Sequence, residues 1–157
     1  MSLTELLPQN ARAIVVGINP SPVSCEAGHY YQGKLGQRLW DRLSNAGIIE
    51  IVTPGAEDRD AVAQGFGFTD LVLRPTPRAT DLSSKELGAA VPGLQSRLSA
   101  AYPRNPRPLI LFTFAMVDQL AGQAVRDAGF ETMRLPAPYA PREDVALTLK
   151  AIAGRLS

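Results

Sequence analysis

The sequence has little of what metal and thiol chemistry needs. Its 157 residues include one cysteine, Cys25, and one histidine, His29. One cysteine excludes an internal disulfide and a thiolate zinc cage, and one histidine excludes a multi-histidine metal site and disfavours a Ser-His-Asp triad. Cys25 lies close to His29, but no third group marks a nucleophilic site around them.

Long apolar runs and a strong net charge are also lacking. No apolar run reaches the ~20 residues that span a bilayer, and the N-terminus lacks the basic-then-apolar pattern of a secretory signal. The hydrophobic fraction of 45% is too high for a disordered chain. We therefore expect a soluble, intracellular protein with a single domain over residues 1–157. The formal net charge of +1 gives no global sign of nucleic-acid binding.

Short apolar runs alternate with stretches of helical spacing along the chain. Strands are predicted at residues 13–16, 66–73, 109–112 and 131–135. Helices are predicted at residues 37–46, from Ser83 through Leu98, at 115–128 and at 141–155, with Ser83 as an N-cap and Glu86 completing a capping box. This alternation predicts a three-layer α/β/α domain with a central, mainly parallel four-stranded sheet.

Ligands of such sheets bind beyond the carboxyl ends of the strands, where residues 17–31, 74–79 and 136–142 form loops. Asn19, directly after the first predicted strand, could orient a water or cap its own turn. Tyr30 and Tyr31 could stack on a planar base or pack beneath the loop. The glycines form neither a dinucleotide fingerprint nor a phosphate loop, which argues against NAD or ATP.

Loop arginines could contact phosphates even though the total charge is small. The alternative is a scattered, solvated surface. The arginines in or near predicted loops are Arg74, Arg78, Arg104, Arg107 and Arg142.

Several segments taken in order resemble one family. The segments are VGINP at 16–20, GHYY at 28–31, RLW at 38–40, FTDLVLRPT at 68–76, and ATDLSSKEL at 79–87. Together they resemble the GINPG loop, the aromatic segment and the following motifs of the mismatch-specific uracil/thymine DNA glycosylases, within the uracil-DNA glycosylase superfamily. The resemblance covers about residues 15–87; beyond them only the order of strands and helices agrees.

This resemblance implies the three-layer glycosylase fold and hydrolysis of the N-glycosidic bond of uracil, or of another deaminated or mismatched base, in DNA. The base must leave the duplex stack, and the product is an abasic site. The resemblance further implies that no metal or cofactor is needed. We expect a monomer with no membrane contact, acting in the cytoplasm of a bacterium or the nucleus of a eukaryote.

Residue roles follow from the matched positions. The resemblance implies that Asn19 orients the attacking water and that Tyr31 stacks on the flipped base. Backbone groups near Gly17, Ile18 and Tyr31 would bind the base edge and stabilise the departing uracil anion. Because an amide cannot accept a proton, we expect modest turnover compared with glycosylases that carry a carboxylate at the position of Asn19.

The chain also departs from the family pattern. Ser21 replaces the last glycine of GINPG, which predicts a differently shaped pocket floor. No histidine follows His29, so help for the leaving group would come from the backbone, from His29 or from an arginine. In the late loop, Tyr139 is the candidate wedge for the gap left by the base, and Arg142 is a candidate contact to a phosphate or to the gap. Arg74, in the loop at 74–79, is a further candidate DNA contact.

Two further hypotheses remain open. One is a non-catalytic binder of uracil or abasic sites in DNA on the same fold. The other is an unrelated small-molecule enzyme on a flavodoxin-like sheet, which the missing phosphate motifs disfavour.

Overall fold

A computed structural model describes residues 2–157 and contains the predicted parallel sheet. The strand order is β2-β1-β3-β4, and every pairing is parallel. Ala13 of β1 pairs with Phe66 on one side and with Leu109 on the other. The strands are β1 (Ala13–Gly17), β2 (Phe66–Asp70), β3 (Leu109–Phe112) and β4 (Thr132–Arg134).

Seven α-helices and a 3-10 turn at Ala79–Asp81 connect and flank the strands in this part of the chain. The α-helices are α1 (Pro22–Ala27), α2 (Gly33–Asn45), α3 (Glu57–Ala63), α4 (Ser84–Ala101), α5 (Ala115–Val117), α6 (Gln123–Asp127) and α7 (Arg142–Leu156). A π-helical segment, Asp118–Gly122, joins α5 to α6. The Ser83 cap is confirmed, since its hydroxyl accepts from the Glu86 N–H at 3.1 Å. None of the helices within residues 2–157 has the length and hydropathy to cross a membrane.

The short helices α1 and α3 were not predicted. They have six and seven residues, too few to show a helical period in the sequence. α1 begins where Ser21 caps the helix and Pro22 occupies its first position. α2 begins at Gly33, four residues before the predicted start. The sequence did not indicate this first turn, because the turn lacks apolar residues that face the core.

The sheet is covered on both faces, which confirms the three-layer architecture. On β1, Ala13 and Val15 face one core, and Ile14 and Val16 face the other. Helices α2 and α7 contribute to the first core with Trp40, Leu43, Leu149 and Ile152. Helices α4 and α6 contribute to the second with Leu94, Leu98 and Val125.

The N-terminal segment covers the outer edge of β2. Leu6 and Phe68 exchange two antiparallel backbone hydrogen bonds of 2.9 and 2.7 Å. A Cβ atom on Gly67 would lie 2.5 Å from the Leu6 carbonyl oxygen, so glycine permits this close approach. Pairing of the edge strand satisfies its backbone and carries Leu3 to the carboxyl end of the sheet.

The topology fixes where a ligand site lies. The chain leaves β1 toward β2 on one side and leaves β3 toward β4 on the other. In open parallel sheets, the crevice at such a switch point is the usual ligand site. Residues that follow β1 and β3 border this crevice.

Candidate active site

A cavity of about 380 Å³ lies beyond the carboxyl ends of β1 and β2. It brings together four residues singled out in the sequence, namely Asn19, Ser21, Tyr30 and Tyr31. Asp70, the last residue of β2, also lines this cavity. We call it the Asn19 cavity.

The side chain of Asn19 is fixed by the loop after β2. Its Nδ2 donates to the Thr76 hydroxyl at 2.8 Å and to the Arg74 carbonyl at 3.0 Å. The Thr76 hydroxyl in turn donates to the carbonyl of Arg78 at 2.6 Å. Both amide protons of Asn19 are therefore committed, and no donor among residues 2–157 holds its Oδ1. This oxygen is the acceptor that Asn19 offers to a ligand or a water.

Backbone contacts of Tyr31 hold the residue against α2. Its φ of 54° is left-handed, and its carbonyl accepts from the Trp40 indole N–H at 2.9 Å. A Cβ atom on Gly36 would lie 2.2 Å from the Tyr31 carbonyl group, so the first turn of α2 packs directly against it. The Tyr31 ring lies edge-on to Trp40 and Phe68, with centroids 6.1 and 6.2 Å away.

The Tyr31 ring also lines a second cavity of about 140 Å³ beside Thr113, after β3. Tyr31 therefore lies between this cavity and the Asn19 cavity. Burial raises the pKa of its phenol well above the ordinary value, and its hydroxyl has no hydrogen-bond partner within residues 2–157.

His29 is placed away from the Asn19 cavity. Its Nδ1 lies 2.7 Å from Asp58 Oδ1, and the other oxygen of Asp58 accepts from the Tyr30 N–H at 2.9 Å. Asp58 thus anchors the aromatic loop to the start of α3. Cys25 is buried, which raises the pKa of its thiol, and the imidazole that could activate it is bound to Asp58.

The remaining residues of the first loop have defined structural contacts. Ser21 lines the cavity and also caps α1, since its hydroxyl accepts from the Ser24 N–H at 3.2 Å. The carbonyls of Gly17 and Ile18 accept from the N–H groups of Leu71 and Val72, each at 2.8 Å. Gly17 and Ile18 are not among the residues that line the Asn19 cavity.

Asp70 is the functional candidate that the sequence interpretation missed. Its residue is 4% exposed, and burial raises the pKa of its carboxyl to about 7. A Cβ atom on Gly17 would lie 2.6 Å from Asp70 Oδ1 and 3.0 Å from the Tyr31 hydroxyl oxygen. The available signal was a carboxylate inside an otherwise apolar strand, next to the carboxyl end of the sheet.

The late loop is held by two arginines of α2. Arg42 donates to the carbonyls of Pro136, Ala137 and Pro138 at 3.0–3.3 Å, and Arg38 donates to that of Pro138 at 2.9 Å. Burial and the charge of Arg38 lower the pKa of Arg42.

Beyond these contacts the loop presents its side chains outward. Tyr139 is 84% exposed, with the Arg38 guanidinium 5.5 Å from its ring centroid.

Cations collect along one groove between α2 and α7. This basic groove, of about 770 Å³, is lined by Arg38, Arg42, Arg142 and Lys150 and by no acidic residue from positions 2–157. Arg74 does not line this basic groove. Its guanidinium makes two hydrogen bonds, of 2.7 and 2.9 Å, to the Glu86 carboxylate.

The fold and site together define an open parallel α/β domain with a cavity beyond the carboxyl ends of β1 and β2. Residues 4–138 match the uracil DNA glycosylase superfamily, and the chain belongs to that superfamily. A segment of 88 residues is 33% identical to the G/U mismatch-specific uracil DNA glycosylase of Schizosaccharomyces pombe. That match covers 53% of this chain and 26% of the yeast protein, so the chain spans about a quarter of the length of this relative.

The backbone also resembles a solved structure over nearly its full length. The solution NMR structure of a candidate uracil DNA glycosylase from Methanosarcina acetivorans aligns with a TM-score of 0.65, over 99% of this chain and 96% of that one. The two sequences are 18% identical, so this likeness concerns the fold.

Proposed function

We propose that the protein is a monofunctional uracil-DNA glycosylase. The observation that carries this proposal is the Asn19 side chain, which lines the Asn19 cavity with its amide nitrogen fixed by the loop after β2 and with no donor to its Oδ1 among residues 2–157. An acceptor fixed in this way can orient a water toward the sugar carbon of a bound nucleotide. Membership of the uracil DNA glycosylase superfamily and the matching yeast enzyme support the choice of reaction.

We propose that the target base enters the Asn19 cavity after leaving the DNA stack, because its sugar carbon cannot be reached inside a duplex. The rigidly held ring of Tyr31 then stacks on the base, and backbone groups of Gly17 and Ile18 contact the base edge. Ser21 shapes the cavity floor through its cap on α1. His29 serves the site indirectly, because its contact with Asp58 fixes the aromatic loop.

For DNA we propose contacts from the late loop and the start of α7. The exposed Tyr139 fills the gap left by the flipped base, and Arg142 contacts a phosphate of the backbone. A phosphate contact by Arg74 would compete with its pairing to Glu86.

The activity is tested with uracil-containing oligonucleotides, single-stranded and paired with guanine or adenine, followed by alkaline cleavage. We expect alkali-dependent strand breaks in at least one of these substrates. Tight binding without strand breaks would indicate the non-catalytic binder. Neither binding nor cleavage would favour a small-molecule enzyme.

The role of Asn19 is tested with Asn19→Ala in single-turnover excision. We expect the rate to fall by ~100-fold or more, because the water loses its orienting acceptor. A folding check by circular dichroism accompanies the assay, since the variant also frees Thr76 and the Arg74 carbonyl. A rate equal to that of the wild type would remove Asn19 from the mechanism.

A further inference from the structure

We propose that Asp70 is a second catalytic residue of the Asn19 cavity: its carboxylate accepts the proton of the water that Asn19 orients. This inference rests on the proposed function. It supplies what an amide lacks, since Asn19 can hold a water but cannot accept its proton.

The position of Asp70 follows from the sheet. Asp70 ends β2 and pairs in register with Gly17, the last residue of β1, two residues before Asn19. Asp70 lines the same cavity as Asn19, although 96% of the residue is shielded from solvent. The absent Cβ of Gly17 leaves the space beside Asp70 Oδ1. The sheet therefore places Asp70 at the wall of the cavity.

The described residues leave the Asp70 carboxylate without a hydrogen-bond donor. Arg97 of α4 is the cation nearby, but its Nε donates to Glu5 at 2.9 Å and its Nη2 donates to the backbone carbonyl of Asp70 at 2.6 Å. Across positions 2–157 no hydrogen bond reaches the Asp70 carboxylate oxygens. A buried carboxylate without a partner is costly, so its retention at a cavity wall points to chemistry rather than to stability.

Burial, more than the surrounding charges, brings the pKa of the Asp70 carboxyl close to neutral pH. Burial raises the pKa of the Asp70 carboxyl to about 7, the positive charge of Arg97 opposes the rise, and the negative charge of Glu5 adds to it. The other titratable groups near it include Tyr30, Tyr31 and Cys25, and burial raises the pKa of each, so all three stay neutral. Lys34 of α2 is a basic side chain that lines the same cavity. A general base works best when its pKa lies near the working pH.

The proposed reaction is a hydrolysis of the glycosidic bond. Water, held by Asn19 Oδ1 and the Asp70 carboxylate, forms a bond from its oxygen to C1′ of the deoxyribose. The bond from C1′ to N1 of uracil breaks, and its electron pair stays on the uracil as the anion. The water proton passes to Asp70, which becomes neutral and later returns the proton to the uracil anion or to solvent.

The test is the pH profile of single-turnover excision with wild type, Asp70→Asn and Asp127→Asn on uracil paired with guanine. The wild-type rate is expected to rise about tenfold per pH unit below about pH 7 and to level above it. Asp70→Asn is expected to be ~100-fold slower or more at pH 8, with a flat profile. Asp127→Asn is expected to follow the wild type, because Asp127 is exposed and its carboxylate accepts a hydrogen bond from Gln123 of the same helix.

A second readout separates proton transfer from a structural role. The affinity of Asp70→Asn for the same DNA, measured by fluorescence anisotropy, is expected to stay within about threefold of the wild type, because only the proton acceptor is lost. Asp70→Glu is expected to recover part of the rate and a pH dependence. Thermal unfolding monitored by circular dichroism confirms that the variants are folded.

The outcomes are distinguishable. Excision by the wild type with an unchanged rate or profile in Asp70→Asn overturns the role of Asp70 and leaves the proposed function standing. Loss of DNA affinity in parallel with rate also overturns it, because the residue is then structural. No excision by the wild type at any pH overturns the glycosylase proposal and the role of Asp70 with it.

Discussion

At the scale of single residues, the raised pKa of Asp70 makes the stability of the fold depend on pH. Its folded pKa is raised to about 7, above the ordinary ~3.9 of an unfolded aspartate. The folded state therefore binds this proton more tightly, so the contribution of Asp70 to stability is complete below about pH 4 and is lost as pH rises to about 7.

The variant Asp70→Asn removes this titration. We expect the free energy of unfolding of the variant, relative to the wild type, to rise between pH 4 and pH 8 by as much as ~4 kcal/mol. Urea unfolding at both pH values measures this difference, with Asp127→Asn as the control. A difference that does not change with pH would show that Asp70 ionises as freely in the folded protein as in the unfolded chain.

Tyr31 allows stacking to be separated from its hydroxyl. Because this hydroxyl is buried and has no partner in the part of the chain that the structure describes, Tyr31→Phe is expected to keep excision and to gain ~1 kcal/mol of stability. Tyr31→Ala is expected to lose excision while it remains folded. Single-turnover rates and thermal melts check both, and full activity in Tyr31→Ala would refute stacking.

At the scale of elements, the first turn of α2 sets the position of the aromatic loop. Gly36→Ala would put a Cβ atom 2.2 Å from the Tyr31 carbonyl group, so the helix and loop must separate. We expect a loss of ~1–3 kcal/mol in the free energy of unfolding. Gly88→Ala in α4 is the matched control, because nothing lies within 4 Å of its new methyl group and a gain of ~1 kcal/mol is expected. Equal effects of the two substitutions would contradict this close packing.

The sequence predicted the buried strands well and the short helices poorly. The apolar runs at 13–16 and 109–112 are buried on both faces, so their pattern identified β1 and β3. The helices α1 and α3 leave no period to detect.

Site residues divide in a similar way. Asn19 and Tyr31 stood out because of local motifs. By contrast, the positions of Asp70 and Arg42 depend on residues more than 50 positions away along the chain, which no local pattern reports.

Across the whole molecule, a net charge of +1 conceals an uneven distribution. The basic groove concentrates four cations at one side of the sheet, while Arg155 is paired with Glu131 and Arg74 with Glu86. A local basic surface is enough to bind a DNA backbone, and its affinity must then fall with salt.

We expect Arg142→Gln to weaken DNA binding and to reduce the slope of log affinity against log salt by about one. Arg155→Gln, near the other end of α7, removes the same charge from a pair with Glu131 and is expected to change the slope little. Fluorescence anisotropy from 50 to 200 mM salt distinguishes the two (a range over which phosphate contacts weaken strongly). Equal slopes for Arg142→Gln and the wild type would remove Arg142 from the DNA contact.

The central claim is that the Asn19 cavity hydrolyses the bond between a base and its deoxyribose. Mass spectrometry of a single-turnover reaction on a uracil-containing duplex tests it most directly. We expect free uracil and an intact strand bearing an abasic site in equal amounts, and neither product with Asn19→Ala. Undamaged substrate after prolonged incubation with the wild type, or strand scission without alkali, would contradict it.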